Sequence, residues 1–114
     1  MEKFVEQTLL YDFYGELLTK RQQEVYENVV LEDYSLSEVA EDLGISRQGV
    51  HDMIKRCDKI LKDYEEKLHL VAKFMKIKDM AGEVHRLSGE CMHTMDLTAI
   101  DEIRRLSAEI TRTL

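Results

Sequence analysis

The segment Ser35–Arg56 limits the fold of this chain more than any other part of the sequence. Ala40 supplies a small side chain where two helices cross closely, and Gly44 supplies the backbone freedom that a tight turn needs. The apolar residues around them occupy the positions that bury a helix pair against its own core, and they are Val39, Leu43, Ile45, Val50 and Met53. The segment therefore predicts a helix-turn-helix.

The ends of these two helices are also marked in the sequence. Ser35 and Glu38 form the Ser-x-x-Glu pattern of a capping box, in which each side chain bonds the backbone amide of the other at a helix start. Gly44 suits the left-handed conformation that ends a helix, and Ser46 suits the cap of the next helix. These signals place one short helix before the turn and a second helix directly after it.

The rest of the chain also favours helices. It has 114 residues with no proline and only five glycines, and 34% of its residues are charged. Apolar residues that recur at three- and four-residue steps predict an all-α fold with a long helix after the turn, a helical tail and no winged element. We expect a break over Ser88–Met95, around Gly89. The predicted helices are Glu2–Leu18, Lys20–Leu31, Leu36–Leu43, Arg47–Lys78, Asp79–Leu87 and Asp96–Thr111.

A heptad stripe follows the turn. From Val50 to Met75 the apolar residues alternate steps of four and three, which is typical of a helix that packs along another helix. We expect a helix-turn-helix domain over 1–62, with its motif at 35–56, and an extension over 63–114 that forms a homodimer. The expected dimer interface consists of Leu61, Tyr64, Leu68, Val71 and Met75.

Basic side chains are concentrated in one short segment of an acidic chain. The formal net charge is −7, and residues 1–45 carry −8 while residues 46–62 carry +3. Arginine and glutamine early in the second helix suit base edges, and the later basic residues suit phosphates. Asp52 on the same face weakens the case for DNA and leaves RNA or protein as alternatives. The candidate nucleic-acid or partner-binding residues are Arg47, Gln48, His51, Lys55, Arg56 and Lys59.

Several classes of protein are disfavoured by the sequence. No segment is apolar over the roughly 20 residues that a membrane-spanning helix needs, and the start of the chain lacks the pattern of a signal peptide. We therefore expect a cytoplasmic protein without membrane contact, in which Cys57 and Cys91 are reduced structural thiols. His85, Cys91 and His93 match no zinc spacing, and no glycine-rich phosphate loop occurs. We expect no metal, no cofactor, no small-molecule substrate and no enzymatic activity.

Three stretches resemble region 4 of bacterial sigma factors: LTKRQQEV at 18–25, YSLSEVA at 34–40 and LGISRQGV at 43–50. The whole chain, from EQTLLYDFYGELLTKRQ through SRQGVHDMIKRCDKIL to DYEEKLHL, is similar to the YlxM family of small bacterial proteins. Membership implies a cytosolic bacterial protein with a role in the signal recognition particle pathway. That role is suggested for the family because its gene lies beside those for the particle's GTPase and its receptor.

Three functions remain open at this point. The resemblance implies an accessory protein that binds the GTPase of the signal recognition particle, its RNA, or both. The helix-turn-helix alone suggests a DNA-binding transcription regulator. The heptad stripe suggests a protein-interaction module whose working surface is the long helix.

Overall fold

The computed structural model describes residues 2–114, and within this range the chain contains helices and turns but no strand. The all-α prediction is confirmed. The chain divides into two compact units between His69 and Leu70, later than the expected boundary at residue 62. The α-helices are α1 Lys3–Tyr14, α2 Lys20–Tyr26, α3 Leu36–Leu43, α4 Arg47–Leu68, α5 Leu70–Thr94 and α6 Ala99–Thr113.

The first unit, which ends at His69, is built around α4. Helices α1, α2 and α3 all pack against it. The inner side of α4 is apolar at positions three and four residues apart, so one stripe of the helix meets all three neighbours. The buried hydrophobic residues of this unit are Leu10, Tyr14, Leu18, Val25, Tyr26, Val39, Ala40, Val50, Ile54, Cys57 and Leu61.

The predicted second helix begins where the sequence indicates. The Thr19 hydroxyl accepts from the Gln22 amide, and the Gln22 side chain accepts from the Thr19 amide, so a capping box opens α2. Beyond α2 the backbone continues as one wide π-helical turn, Glu27–Leu31. The helical course therefore reaches Leu31, as predicted, although its last turn is not α-helical.

A buried tyrosine joins three helices of the first unit. The Tyr26 side chain is fully buried, and its hydroxyl donates to Asp58 Oδ1 of α4 at 2.6 Å. The Gln7 amide of α1 donates to both oxygens of the same carboxylate at 3.1 Å. Burial and the hydrogen bond to Asp58 raise the pKa of Tyr26, so the phenol remains protonated and keeps donating. One carboxylate on α4 thus holds α1 and α2 in register.

The long helix predicted over Arg47–Lys78 is wrong in its end point. Helix α4 stops at Leu68, and His69 adopts a left-handed conformation with φ of 56°. The His69 amide still bonds the Glu65 carbonyl at 2.8 Å, as at an ordinary helix end. Histidine is among the few non-glycine residues that adopt positive φ with some frequency, so no glycine or proline is needed there.

The second unit, which begins at Leu70, consists of α5 and α6. Helix α5 runs unbroken through most of the expected break at Ser88–Met95, as far as Thr94, and it begins well before the predicted start at Asp79. A Cβ at Gly89 would lie in open space, so this glycine costs the helix only about 1 kcal/mol relative to alanine. Leu87 is buried close by, and its packing outweighs that cost.

Replacement of Tyr26 by Phe should lower the free energy of unfolding of the first unit by about 1–2 kcal/mol, because it removes a buried hydrogen bond to a carboxylate. Tyr11 is the matched control, since its ring stacks on Tyr26 and its hydroxyl donates to an exposed carboxylate, that of Glu27. The change Tyr11→Phe should stay within about 0.5 kcal/mol. Urea unfolding followed by tyrosine fluorescence measures both, because all five tyrosines precede His69. Equal losses would contradict the role given to Asp58.

Candidate functional site on the fourth helix

The turn between α3 and α4 has the geometry that the sequence predicts. The Ser35 hydroxyl accepts from the Glu38 amide at 3.1 Å, and the Glu38 side chain accepts from the Ser35 amide at 3.4 Å. Gly44 is left-handed with φ of 68°, and the Ile45 amide reaches back to the Ala40 carbonyl at 3.1 Å. This pair of features is a Schellman motif, which ends α3 sharply and turns the chain towards α4.

Helix α4 opens with its own cap. The Ser46 hydroxyl accepts from the Gly49 amide at 3.0 Å. Val50 is fully buried one turn later, and Ala40 on α3 is also buried, so the two helices pack through small and branched side chains. The first turn of α4 is therefore fixed at both its cap and its inner side, and its outer side chains have a rigid base.

The candidate residues lie on the outer side of α4. Arg47, Gln48, Lys55, Arg56 and Lys59 are exposed, and His51 is half-buried. At 3.6 residues per turn, all except Arg56 fall within about 120° of the helix circumference, and Arg56 lies about 60° beyond. Lys62 falls inside the same arc and is also exposed. We name Arg47, Lys55, Lys59 and Lys62 the cationic face.

Lys62 is the residue that the candidate set missed. It follows Lys55 and Lys59 at a spacing of seven and three residues, which is the periodicity of one helix face. That spacing was visible in the sequence, and it shows that the face extends a turn beyond Lys59. Lys55 to Lys62 spans about 10 Å along the helix axis.

The charges of the cationic face are largely available to a partner. Within residues 2–114, Arg47, Lys55 and Lys62 form no ion pair within 4.0 Å. Lys59 pairs with Asp63 at 3.4 Å, but both side chains are more than half exposed. Such a surface pair contributes little and exchanges readily for a phosphate.

The base-reading candidates are partly occupied within the chain. The Gln48 amide donates to Asp52 Oδ1 at 3.0 Å, one turn further along α4. His51 Nδ1 lies 4.0 Å from the same oxygen, too far for a hydrogen bond, and it has no partner among the described residues. Gln48 would have to leave Asp52 in order to read a base edge, and Asp52 would then face the nucleic acid unpaired.

A shallow depression lies at the start of the two helices. It has a volume of about 460 Å³ and is lined by Leu36 of α3 and by Arg47, Gln48 and His51 of α4. Its apolar floor and its guanidinium are suited to a flat polar group such as a base. The sequence marks Leu36 only as the first residue of the motif's first helix.

The inner side of α4 offers no reactive group. Burial raises the pKa of the Cys57 thiol to about 11, and the neighbouring Asp58 carboxylate acts in the same direction. Cys57 is therefore a protonated core thiol at neutral pH and a poor nucleophile. Within residues 2–114 the structure brings together no three histidine, cysteine or carboxylate side chains that would hold a metal ion. It also contains no helix in that range that is long and apolar enough to cross a membrane.

The predicted dimer stripe is not a continuous surface. Leu61 and Val71 are already buried in the single chain, and the Tyr64 ring stacks on Tyr14 with centroids 6.0 Å apart. Leu68 is exposed, and Met75 is half-buried. The stripe fails because α4 ends at Leu68, so its residues divide between two helices and two units. Leu61 and Val71 are therefore not accessible to a second copy in this conformation, whereas a dimer interface at Tyr64, Leu68 and Met75 stays a prediction.

Comparison with known proteins identifies the family. The model of the UPF0122 family, described as YlxM / p13-like helix-turn-helix proteins, matches residues 1–99. The chain belongs to the UPF0122 family. It is 39% identical over 102 residues to the UPF0122 protein YlxM of Bacillus subtilis, which covers 90% of this chain and 93% of that protein.

Further UPF0122 relatives extend the match across bacteria. The chain is 37% identical over 109 residues to the UPF0122 protein YofM of Lactococcus lactis, covering 96% of each. It is 55% identical over 84 residues to a UPF0122 protein of Acetivibrio thermocellus, covering 74% of this chain and 72% of that one. The resemblance to the YlxM family is therefore confirmed, and the family description agrees with the α3–α4 geometry.

Replacement of Gly44 by Ala should destabilise the first unit by about 1–2 kcal/mol, because a Cβ strains the left-handed conformation even though the space around it is open. Gly44→Asn is the matched variant and should cost less, since asparagine tolerates that conformation. Urea unfolding followed by tyrosine fluorescence measures the two costs. An alanine variant as stable as the parent would show that the turn does not depend on positive φ.

Proposed function

We propose that this UPF0122 protein is a non-enzymatic accessory protein of the signal recognition particle pathway, acting in the cytoplasm and binding the RNA of the particle through the cationic face of α4. The pathway is the role suggested for the YlxM family. The preference for RNA rests on one observation, the row of exposed and mostly unpaired cations on α4. In an alternative version of this proposal, the protein binds the GTPase of the particle, either alone or together with the RNA.

Charge distribution supports contact with a phosphate backbone at the cationic face. The chain has a net charge of −7, so it has no general attraction for nucleic acids. A local row of cations on a rigid helix overcomes that repulsion at one place only. Lysine contacts to phosphates position a protein without reading sequence, which suits an RNA recognised by its shape.

Acidic residues near the turn disfavour the usual docking on duplex DNA. In that arrangement the first helix of the motif crosses the backbone, and the second enters the major groove by its first turns. Here α3 exposes Glu41 and Asp42, and Asp52 lies on the outer side of α4. These carboxylates would face DNA phosphates, whereas Lys55, Lys59 and Lys62 lie further along α4.

A DNA-binding transcription regulator is the second candidate. It is favoured by the depression between Leu36 and Arg47, because the first turn of α4 is where a helix-turn-helix meets base edges. Arg47 would bond a guanine there. This function requires a defined duplex that the protein prefers.

The double change Lys55→Glu with Lys59→Glu should weaken binding to the transcribed RNA of the signal recognition particle by at least about tenfold at moderate salt. It should also reduce the slope of log affinity against log salt by about two, roughly one for each phosphate that the variant no longer neutralises. Fluorescence anisotropy with labelled RNA measures both. The double change Lys3→Glu with Lys20→Glu is the control, because it alters net charge equally on other exposed helix starts.

Three results would contradict RNA binding by the cationic face. Equal weakening by both double variants would show that only net charge matters and would reject the cationic face. Binding to the purified GTPase but not to RNA would assign the face to protein docking. Enrichment of one duplex from random DNA, lost on Arg47→Ala, would establish the transcription regulator instead.

A further inference from the structure

The depression at the start of α3 and α4 borders an unsatisfied polar atom. His51 Nδ1 is inaccessible to solvent and has no hydrogen-bond partner, and it is the one buried side-chain nitrogen or oxygen of residues 2–114 in that condition. A buried polar atom without a partner costs free energy, so its presence at one place needs a reason. The same residue lines the depression of about 460 Å³, together with Leu36, Arg47 and Gln48.

The carboxylate beside this nitrogen already has a donor. Asp52 Oδ1 lies 4.0 Å from His51 Nδ1, and it accepts a hydrogen bond from the Gln48 amide at 3.0 Å. A hydrogen bond between the histidine and the carboxylate needs a separation of about 3 Å, so an approach of about 1 Å would form it. Two donors therefore converge on one carboxylate oxygen, and only the glutamine is bonded in this conformation.

An exchange of donors at Asp52 would release Gln48. Once His51 Nδ1 donates to the carboxylate, the glutamine can leave without reducing the number of hydrogen bonds that Asp52 accepts. The exchange also satisfies the orphaned nitrogen of His51, and the carboxylate is no longer left unpaired near a nucleic acid. Gln48 is exposed, so its side chain has room to rotate away from α4.

The released Gln48 amide suits one base in particular. A glutamine amide forms two hydrogen bonds with adenine, because it donates to N7 and accepts from N6. Guanine presents two acceptors on the same edge, and the pyrimidines have no N7. Adenine is therefore the base that uses both the donor and the acceptor of this side chain.

The other side chains of the depression suit the face of a base. Leu36 supplies an apolar group, Arg47 a planar guanidinium and His51 an aromatic ring. Unpaired bases of RNA stack on aromatic rings and on guanidinium planes. The depression thus combines groups that contact the face of a purine with one amide that reads its edge.

The base must come from an unpaired part of the nucleic acid. The major groove of an RNA helix is too deep and narrow for side chains to read, so N6 and N7 of a paired adenine are out of reach. Duplex DNA exposes these atoms, but Glu41 and Asp42 on α3 would face its phosphates. A bulged or looped adenine of an RNA avoids both restrictions, because it can be turned out of the helix.

We propose that the depression binds one unpaired adenine of an RNA, with Gln48 on its N6 and N7 atoms while His51 replaces Gln48 on Asp52. This inference rests on the proposed binding of RNA and adds a base preference to it. Gln48 determines specificity, and His51 and Asp52 are positioning residues. The cationic face supplies affinity for phosphates, and the depression supplies selectivity.

Fluorescence anisotropy with four RNA stem-loops, identical except for a single bulged A, G, C or U, tests the proposal. The parent should bind the bulged-A RNA at least about fivefold more tightly than each of the others, which is the lower end of what one bidentate contact gives. Gln48→Ala should reduce this preference to less than about twofold, mainly by weakening the binding of the bulged-A RNA. His51→Phe should also reduce it, because it keeps an aromatic ring but removes the donor to Asp52.

The double change Lys55→Glu with Lys59→Glu is the matched control. It should weaken the binding of all four RNAs by the same factor and leave the preference for adenine in place, because phosphate contacts do not read bases. Circular dichroism checks that each variant keeps its helices. Gln48 is exposed, so Gln48→Ala provides the test if His51→Phe does not fold.

The nitrogen chemical shifts of the histidine rings test the exchange itself. On addition of the bulged-A RNA, Nδ1 of His51 should move to the shift of a protonated, hydrogen-bonded nitrogen. The bulged-U RNA should leave it in place. His69, His85 and His93 lie outside α4 and are internal controls, since neither RNA should change their rings.

Several results would overturn this inference alone. Equal binding of the four RNAs would do so, as would an adenine preference that survives Gln48→Ala or an unchanged His51 ring. A preference for guanine would assign the reading to Arg47 instead. Binding of none of the four would also overturn it, and titration with the transcribed RNA of the signal recognition particle would then show whether the proposed function fails as well.

Discussion

The Asp58 carboxylate accepts hydrogen bonds from two helices other than its own, from Tyr26 of α2 and from Gln7 of α1. Asp58 is half-buried at the border between the inner side of α4, where Cys57 and Leu61 are buried, and the arc that carries the cationic face. Its hydrogen bonds to α1 and α2 therefore help to fix the rotation of α4, with the buried residues inward and the exposed lysines outward. A second tyrosine supports the same register, since the Tyr14 hydroxyl donates to Glu65 at 2.6 Å.

Local signals predicted the helix-turn-helix closely. The capping residues at Ser35 and Ser46 and the left-handed Gly44 act within a few residues, so sequence is sufficient to locate them. Hydrogen-bond partners that are distant in the sequence could not be predicted in this way. Asp58 lies in the most basic segment and looks like a solvated acid, and only the fold brings Tyr26 and Gln7 to it. No glycine or proline marks the end of α4 at His69, so the heptad pattern predicts a helix that continues past this residue.

The two units present different kinds of surface. The first unit presents charge on a rigid helix, and the second presents apolar surface on a hairpin with balanced charge. The heptad pattern predicts one long stripe from Val50 to Met75, but the structure divides this stripe between α4 and α5. In α4 the stripe residues Val50, Ile54, Cys57 and Leu61 are buried in the core of the first unit, and Leu68 is exposed.

The proposed recognition of RNA by the outer side of α4 is tested most directly by the amide chemical shifts of isotopically labelled protein. Titration with the transcribed RNA of the signal recognition particle should shift the amides of α4 between Arg47 and Lys62, with little change in α1 or α6. The same shifts should weaken when salt is raised from about 50 to 200 mM. Shifts confined to the hairpin, or none at saturating RNA, would contradict the claim.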